Sequence, residues 1–163
     1  DGERLLVTQN DIRAIQLAKA ALYAGIRLLM DHLEIDTIDE IGLAGAFGSH
    51  IDTIHATVLG LVPDCDPDRV TSVGNAAGAG ATIALLSGSA RQSIIEVVDR
   101  IEKIETALEP AFQDHFVDAM AIPHRTAEYP CLSTRITLPE RSTASAVGSE
   151  RSGRRRRRNG AAR

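Results

Sequence analysis

Two glycine-rich stretches carry the residue types that could do chemistry in this chain. "GLAGAFGSH", residues 42–50, follows the apolar-leaning residues 38–41 and has glycines three apart at Gly42, Gly45 and Gly48. "VGNAAGAGA", residues 73–81, follows a second short apolar run. Each reads as a strand end, then a turn, then a helix start, about thirty residues apart in sequence. At such corners glycine lets backbone N–H groups approach a ligand, and a helix N-terminus favours an anion. In an open α/β sheet ligands collect beyond the carboxyl ends of the strands. The competing explanation is that both glycine sets only allow helices to pack closely on a sheet.

Other chemistries fit less well. A dinucleotide fingerprint ending on Gly45 and Gly48 would put Leu43 where its first glycine belongs, and no G-x-x-x-x-G-K-[ST] occurs. Asp64, Asp66 and Asp68 alternate like the start of a calcium loop, but the sixth position is Arg69 and the twelfth is Asn75. His50 and His55 are five apart, off the spacing that puts two ligands on one helix face. His115 and His124 have no obvious partners in sequence, so no metal site is expected. Cys65 and Cys131 lie far apart, outside any C-x-x-C, and read as ordinary thiols of a reducing compartment.

The elements that must position these turns follow from periodicity. Residues 5–7, "LLV", read as a short strand, and Thr8 with Asp11 forms a capping-box pattern. Ile12, Ile15, Leu22, Ile26, Leu29 and Leu33 mark one face of a long helix over 9–33, thinned by Ala14, Ala18 and Ala21. "IDEIGLAG" reads as a buried strand. "IDTIHATVLGLVP" reads as a helix closed by Gly60 and Pro63, and "PDCDPDR" as a turn. "RVTSVG" is a second strand, and a small-residue helix over 75–86 is stopped by Gly88. "ARQSIIEVVDRI" is a helix with Ile94, Ile95, Val98 and Ile101 on one side. The charges over 96–105 read as a solvated face, and "EKIETAL" as strand or helix continuation. Pro110 opens a further helix, and Pro123 and Pro130 lead the chain out of regular structure. Strands alternating with helices give an α/β domain, its sheet covered by helices.

The bulk numbers agree. The chain has 163 residues, 44% of them hydrophobic, enough for one domain with a core of aliphatic side chains, since aromatics are only 3%. No run of about 18 apolar residues occurs, so no spanning helix is expected. "DGERLLVTQN" has no signal-peptide pattern, and its abrupt start reads as cut from something longer. The net charge of −4 is uneven: eight arginines against two glutamates after Pro139 leave that tail at +6 and the body at −10. An acidic body argues against nucleic acid as the main partner. Residues 140–163, with the arginine run 154–158, read as a disordered basic tail on a domain of residues 1–139.

The two glycine turns resemble the adenosine and second connecting motifs of the actin, Hsp70 and sugar-kinase (ASKHA) superfamily. "TQNDIRAIQLAKAALYAGIRLLM", "LAGAFGSHID", "LGLVPD", "VGNAAGAGA" and "FQDHFVDAMAIPH" together look like the carboxyl-terminal domain of reductive activators of corrinoid proteins, over about residues 3–139. The resemblance implies one lobe of an actin/Hsp70-like (ribonuclease H-like) ATPase. The parent of such a lobe carries an amino-terminal [2Fe–2S] domain and a two-lobed ATPase. It uses ATP with Mg²⁺ to drive electron transfer to an inactive Co(II) corrinoid, returning it to Co(I) in a methyltransferase system.

By that resemblance Gly45, Ala46, Phe47 and Gly48 would pass under the nucleoside. Phe47 would cover adenine or ribose, or else serve as a core aromatic. Gly74 and Asn75 would form the second turn, with Asn75 on a ribose hydroxyl or capping its helix. Gln16 and Lys19 lie on the long helix, with Lys19 either a cation near the nucleotide or a solvated lysine. The superfamily's Asp-x-Gly-Thr phosphate turn is absent from the sequence, and two distant cysteines cannot hold a cluster that usually takes four thiolates. The chain alone is therefore expected not to be catalytic; it shares ATP with a missing first lobe, and its parent carries the [2Fe–2S] group. Expected partners are a corrinoid protein, its methyltransferase and the missing lobe, with a homodimer allowed, no membrane, and a cytoplasmic setting. An activator of an acyl-CoA dehydratase, or a non-catalytic interaction domain that keeps the fold, are the alternative readings.

Overall fold

The structure is a computed structural model that describes residues 4–137. The expected basic tail over 140–163 lies outside the described residues, as does the side chain of Phe47.

The long helix forms as its pattern predicts. α1 (Gln9–His32) starts at Thr8, whose side chain accepts from the Asp11 amide while the Asp11 carboxylate accepts from the Thr8 amide at 2.8 Å. The Thr8 hydroxyl, which donates to the Asp11 carboxylate at 2.7 Å, and the Thr8 amide together hold that carboxyl below the usual range. The buried face is not the expected one. Ile12, Ile15, Leu22, Leu29 and Leu33 are exposed, whereas Lys19, Ala20, Tyr23, Ala24, Leu28 and Met30 are buried. The reason is the partner. α6 (Pro110–Ala119) lies against α1, and a core of Ala20, Tyr23 and Ala119 joins them, with Phe116 and Met120 packed on it. Small side chains at the crossing let the two backbones come close, so the small-residue stripe wins over the larger aliphatic one.

β1 (Ile41–Ala44) and β2 (Val70–Gly74) pair in parallel, Ile41 opposite Val70 and Ala44 opposite Gly74. β1 is half-buried in alternation rather than fully buried. Residues 5–7 are exposed and unpaired, not a strand; Leu5 is 92% exposed. Between the strands run α2 (Gly45–His50) and α3 (Thr53–Leu59). Asp52 separates them by capping α3, accepting from the His55 amide at 2.8 Å, and Gly60 closes α3 in the left-handed conformation.

α4 (Ala76–Leu86) follows β2 and ends at Ser87, whose hydroxyl caps α5 (Gly88–Val98) by accepting from the Ala90 amide. Gly88 therefore opens a helix rather than stopping one. Ile94, Ile95, Val98 and Ile101 are exposed. "EKIETAL" forms neither strand nor α-helix; only residues 106–108 make a 3-10 turn. Pro130 does not end regular structure but begins a short helix, α7 (Pro130–Ser133). The α/β class thus holds, around a small parallel sheet.

Candidate nucleotide site at the paired strand ends

Because β1 and β2 are parallel, both end at the same edge of the sheet. The Ala44–Gly74 register sets the two glycine turns side by side there. Gly45 has φ 91° and Gly74 has φ 64°, left-handed values that side chains with a Cβ rarely adopt. A Cβ built at either residue would meet nothing within 4 Å, so both backbones face open space. Gly48 differs. Its Cβ would lie 2.5 Å from the Leu43 carbonyl oxygen, so that glycine exists to seat α2 on β1. The two explanations offered by the sequence therefore divide between residues: Gly48 packs, and Gly45 and Gly74 open.

Ala46 is exposed in α2, where Ser49 donates its hydroxyl hydrogen to the Gly45 carbonyl at 3.0 Å. Asn75 caps α4, its side-chain oxygen accepting from the Gly78 amide at 2.9 Å. A Cβ at Gly78 would crowd the Asn75 carboxamide, which would have to shift to keep the cap. The capping oxygen is thus committed, and the carboxamide nitrogen is the part of Asn75 left for other use.

Lys19 is placed elsewhere, beside Gly60. Lys19 is 1% exposed, and its amine donates to the Ala121 carbonyl at 2.6 Å. Burial pulls its pKa down to about 8. The amine lies beside Gly60 and the Tyr129 hydroxyl, at the junction of α1, α3 and α6. It is neither solvated nor at the glycine turns. Gln16, a turn earlier, is half-exposed.

A polar junction surrounds Lys19, and periodicity gave no hint of it. The Tyr23 ring packs on His124 at a centroid distance of 4.4 Å. His124 is buried, with Nδ1 accepting from the Ala127 amide at 3.0 Å. Burial raises the Tyr23 phenol. A cavity of about 390 Å³ opens here, lined by Tyr23, Arg27, Asp64, His115, Asp118 and His124 among others. His115 does have a partner, Asp31 at 2.6 Å, which also pairs with Arg27 at 3.1 Å. A buried lysine hidden in an alanine-rich helix was the one signal available.

The two cysteines, far apart in sequence, line one cleft next to Asp64. The Asp64 carboxylate accepts from the Cys131 amide at 2.8 Å and the Leu132 amide at 3.1 Å, so it caps α7 from 67 residues away. It also holds the Cys131 thiol above its usual range, while burial raises Cys65. Neither is an activated thiolate. No group of three metal-ligating side chains occurs among the described residues. Two protonated thiols do not fit an iron–sulfur cluster, which needs four ligands. The open turns do fit a nucleotide: two left-handed glycines bare the backbone at adjoining strand ends, at the start of the eleven-residue α4. No described helix is long and apolar enough to cross a membrane.

Comparison with known proteins identifies relatives of the chain. The model of the C-terminal domain of RACo, the ASKHA domain, matches residues 1–133. The corrinoid activation enzyme RamQ of Eubacterium limosum is 41% identical over 120 residues, which cover 72% of this chain and 20% of that protein. A solved structure titled reductive activator for corrinoid, iron-sulfur protein superposes with a TM-score of 0.67 at 35% identity, covering 72% of this chain and 19% of its own. The chain spans about a fifth of the length of each of these relatives.

Proposed function

The chain belongs to the family of the C-terminal ASKHA domain of RACo, and from that premise we propose that it is the nucleotide-binding lobe of an ATP-dependent activator that returns inactive Co(II) corrinoid to Co(I) in a methyltransferase system. The relatives are named as corrinoid activators, which favours a corrinoid target over an acyl-CoA dehydratase. The observation that carries the reading is the register of Ala44 on Gly74, which joins two open glycine turns at one sheet edge.

In this reading the backbone at Gly45 and Ala46 runs under the nucleoside, and Gly74 clears space beside it. Phe47 belongs to the same turn and would flank the base. The Asn75 oxygen fixes the first turn of α4, and its nitrogen is placed to donate to a ribose hydroxyl. Gly48 acts indirectly, by holding α2 against β1. Lys19 and Gln16 contribute to the fold of α1 rather than to nucleotide contacts. Bound ATP with Mg²⁺ supplies the free energy for the uphill reduction. Its phosphate-side contacts come from a first lobe outside this chain, and the [2Fe–2S] group of the parent belongs to a separate amino-terminal domain. The partners are a corrinoid protein, its methyltransferase and that lobe, in the cytoplasm.

The test is calorimetric titration of the chain with ATP and ADP plus Mg²⁺, beside Gly74→Val and Gly45→Val, with circular dichroism to verify that each variant folds. Nucleotide binding that disappears in folded variants supports the reading. A folded wild type that binds neither nucleotide, alone or joined to a first lobe from a full-length relative, overturns it and leaves a non-catalytic interaction domain.

A further inference from the structure

Cys65 and Cys131 are the two cysteines of the chain, and the fold brings them to one place. Cys65 lies in the loop between α3 and β2, directly after Asp64. Cys131 lies in the first turn of α7. The Asp64 carboxylate accepts from the Cys131 amide at 2.8 Å, so the residue beside one cysteine holds the backbone of the other. An ion pair of Asp68 with Arg135 ties the same two segments again. Val62 and Leu132, one from each segment, are fully buried. Both cysteines line a cleft of about 550 Å³. Cys65 is 2% exposed, whereas Cys131 is open to solvent. A hydrogen bond to Asp64 raises the Cys131 thiol most, followed by the Asp64 charge, desolvation and the charges of Asp66 and Cys65. The two sulfurs are therefore close enough to feel one another. Burial raises Cys65. Thiol pairs that are readily reduced owe it to a stabilised reduced form. Here nothing stabilises either thiolate, so the reduced form gains no such advantage.

We propose that Cys65 and Cys131 are a redox pair, joined by a low-molecular-weight disulfide such as oxidised glutathione into a bond that staples α7 to the loop before β2. The exposed thiol reacts first. The Cys131 thiolate attacks one sulfur of oxidised glutathione, and the first glutathione thiolate leaves with the electron pair of the broken S–S bond. The Cys65 thiolate then attacks the Cys131 sulfur from the shared cleft and expels the second glutathione. Two protein thiols and one glutathione disulfide thus become one protein disulfide and two glutathione thiols. The protein loses two electrons and two protons, and glutathione takes up both. The ring so closed contains β2, α4, α5 and α6, and a cross-link of that span restricts the unfolded chain far more than the folded one. The chain has no third cysteine through which the bond could reshuffle. This chemistry does not depend on nucleotide.

The experiment equilibrates the 163-residue chain with mixtures of reduced and oxidised glutathione at about pH 8.5, once folded and once in urea. Acid and iodoacetamide stop the reaction, and mass spectrometry counts free thiols, glutathione adducts and the peptide linking Cys65 to Cys131. The expected result is the linked peptide in a folded monomer, formed in mixtures more reducing by roughly tenfold or more than those needed in urea. Cys65→Ser is expected to stop at one glutathione on Cys131, and Cys131→Ser to leave Cys65 reduced, with circular dichroism verifying that both fold. A folded wild type that stays reduced, stops at a glutathione adduct on Cys131, or links into dimers through Cys131 overturns the proposal. So does closure no easier in the folded chain than in urea, because the fold would then not hold the two thiols together.

Discussion

The buried amine of Lys19 makes the most quantitative prediction. It is 1% exposed and bonded to the Ala121 carbonyl at 2.6 Å, and burial lowers its pKa from 10.5 to about 8. That shift corresponds to about 3 kcal/mol of preference for the neutral amine in the folded chain. The sign is set by which state holds the proton. Between about pH 8 and about pH 10.5 the unfolded chain keeps a proton that the folded chain has shed, so stability rises with pH across that window. Below it both states are protonated and the folded chain bears the full cost. Integration from about pH 7 to about pH 9.5 gives the wild type about 2 kcal/mol. Lys19→Met fills similar space without titrating, so groups common to both chains cancel, including the raised Tyr23 phenol. Urea unfolding of both chains at about pH 7, 8 and 9.5 reads the difference. The wild type is expected to gain about 2 kcal/mol on the variant over that range. Parallel profiles, agreeing within about 0.5 kcal/mol, would refute a desolvated amine at Lys19.

Three further outcomes follow from the geometry. Gly48→Ala drives a Cβ to 2.5 Å from the Leu43 carbonyl oxygen and is expected to cost about 2 kcal/mol or more, read as a lowered urea midpoint; an unchanged midpoint would mean that α2 shifts freely on β1. Asn75→Ala removes the cap on the Gly78 amide and should cost about 1 kcal/mol, with Asn75→Asp restoring it in thermal melts. Asp64→Ala frees the Cys131 and Leu132 amides. A loss of about 1–2 kcal/mol is expected, together with faster alkylation of Cys131 as its thiol pKa returns toward the ordinary value.

Local chemistry was legible in the sequence. The Thr8–Asp11 box, the Asn75 cap, the closure of α3 at Gly60 and the entry of Pro110 into α6 each depend on residues a few positions apart, and each formed. So did the two glycine turns, because a strand end followed by glycine and a helix start is a local pattern. What the sequence left open was which turn glycine opens and which one packs. That depended on a carbonyl at Leu43 and on the register between β1 and β2, across a separation of about thirty residues. The tertiary structure also reversed the faces of α1. Periodicity picks the largest aliphatic stripe, but the buried stripe is the one that lets α6 approach, and it carries Lys19 inside with it. Asp64 as the cap of α7, Asp31 beside His115, and two cysteines in one cleft are likewise contacts between distant residues. The sequence by itself determined the longer helices, the local caps and the glycine turns, since hydrogen bonds within a few residues decide those. Only the tertiary structure decided which surfaces are buried, because burial depends on the shape of the neighbour and not on the hydrophobicity of the stripe alone.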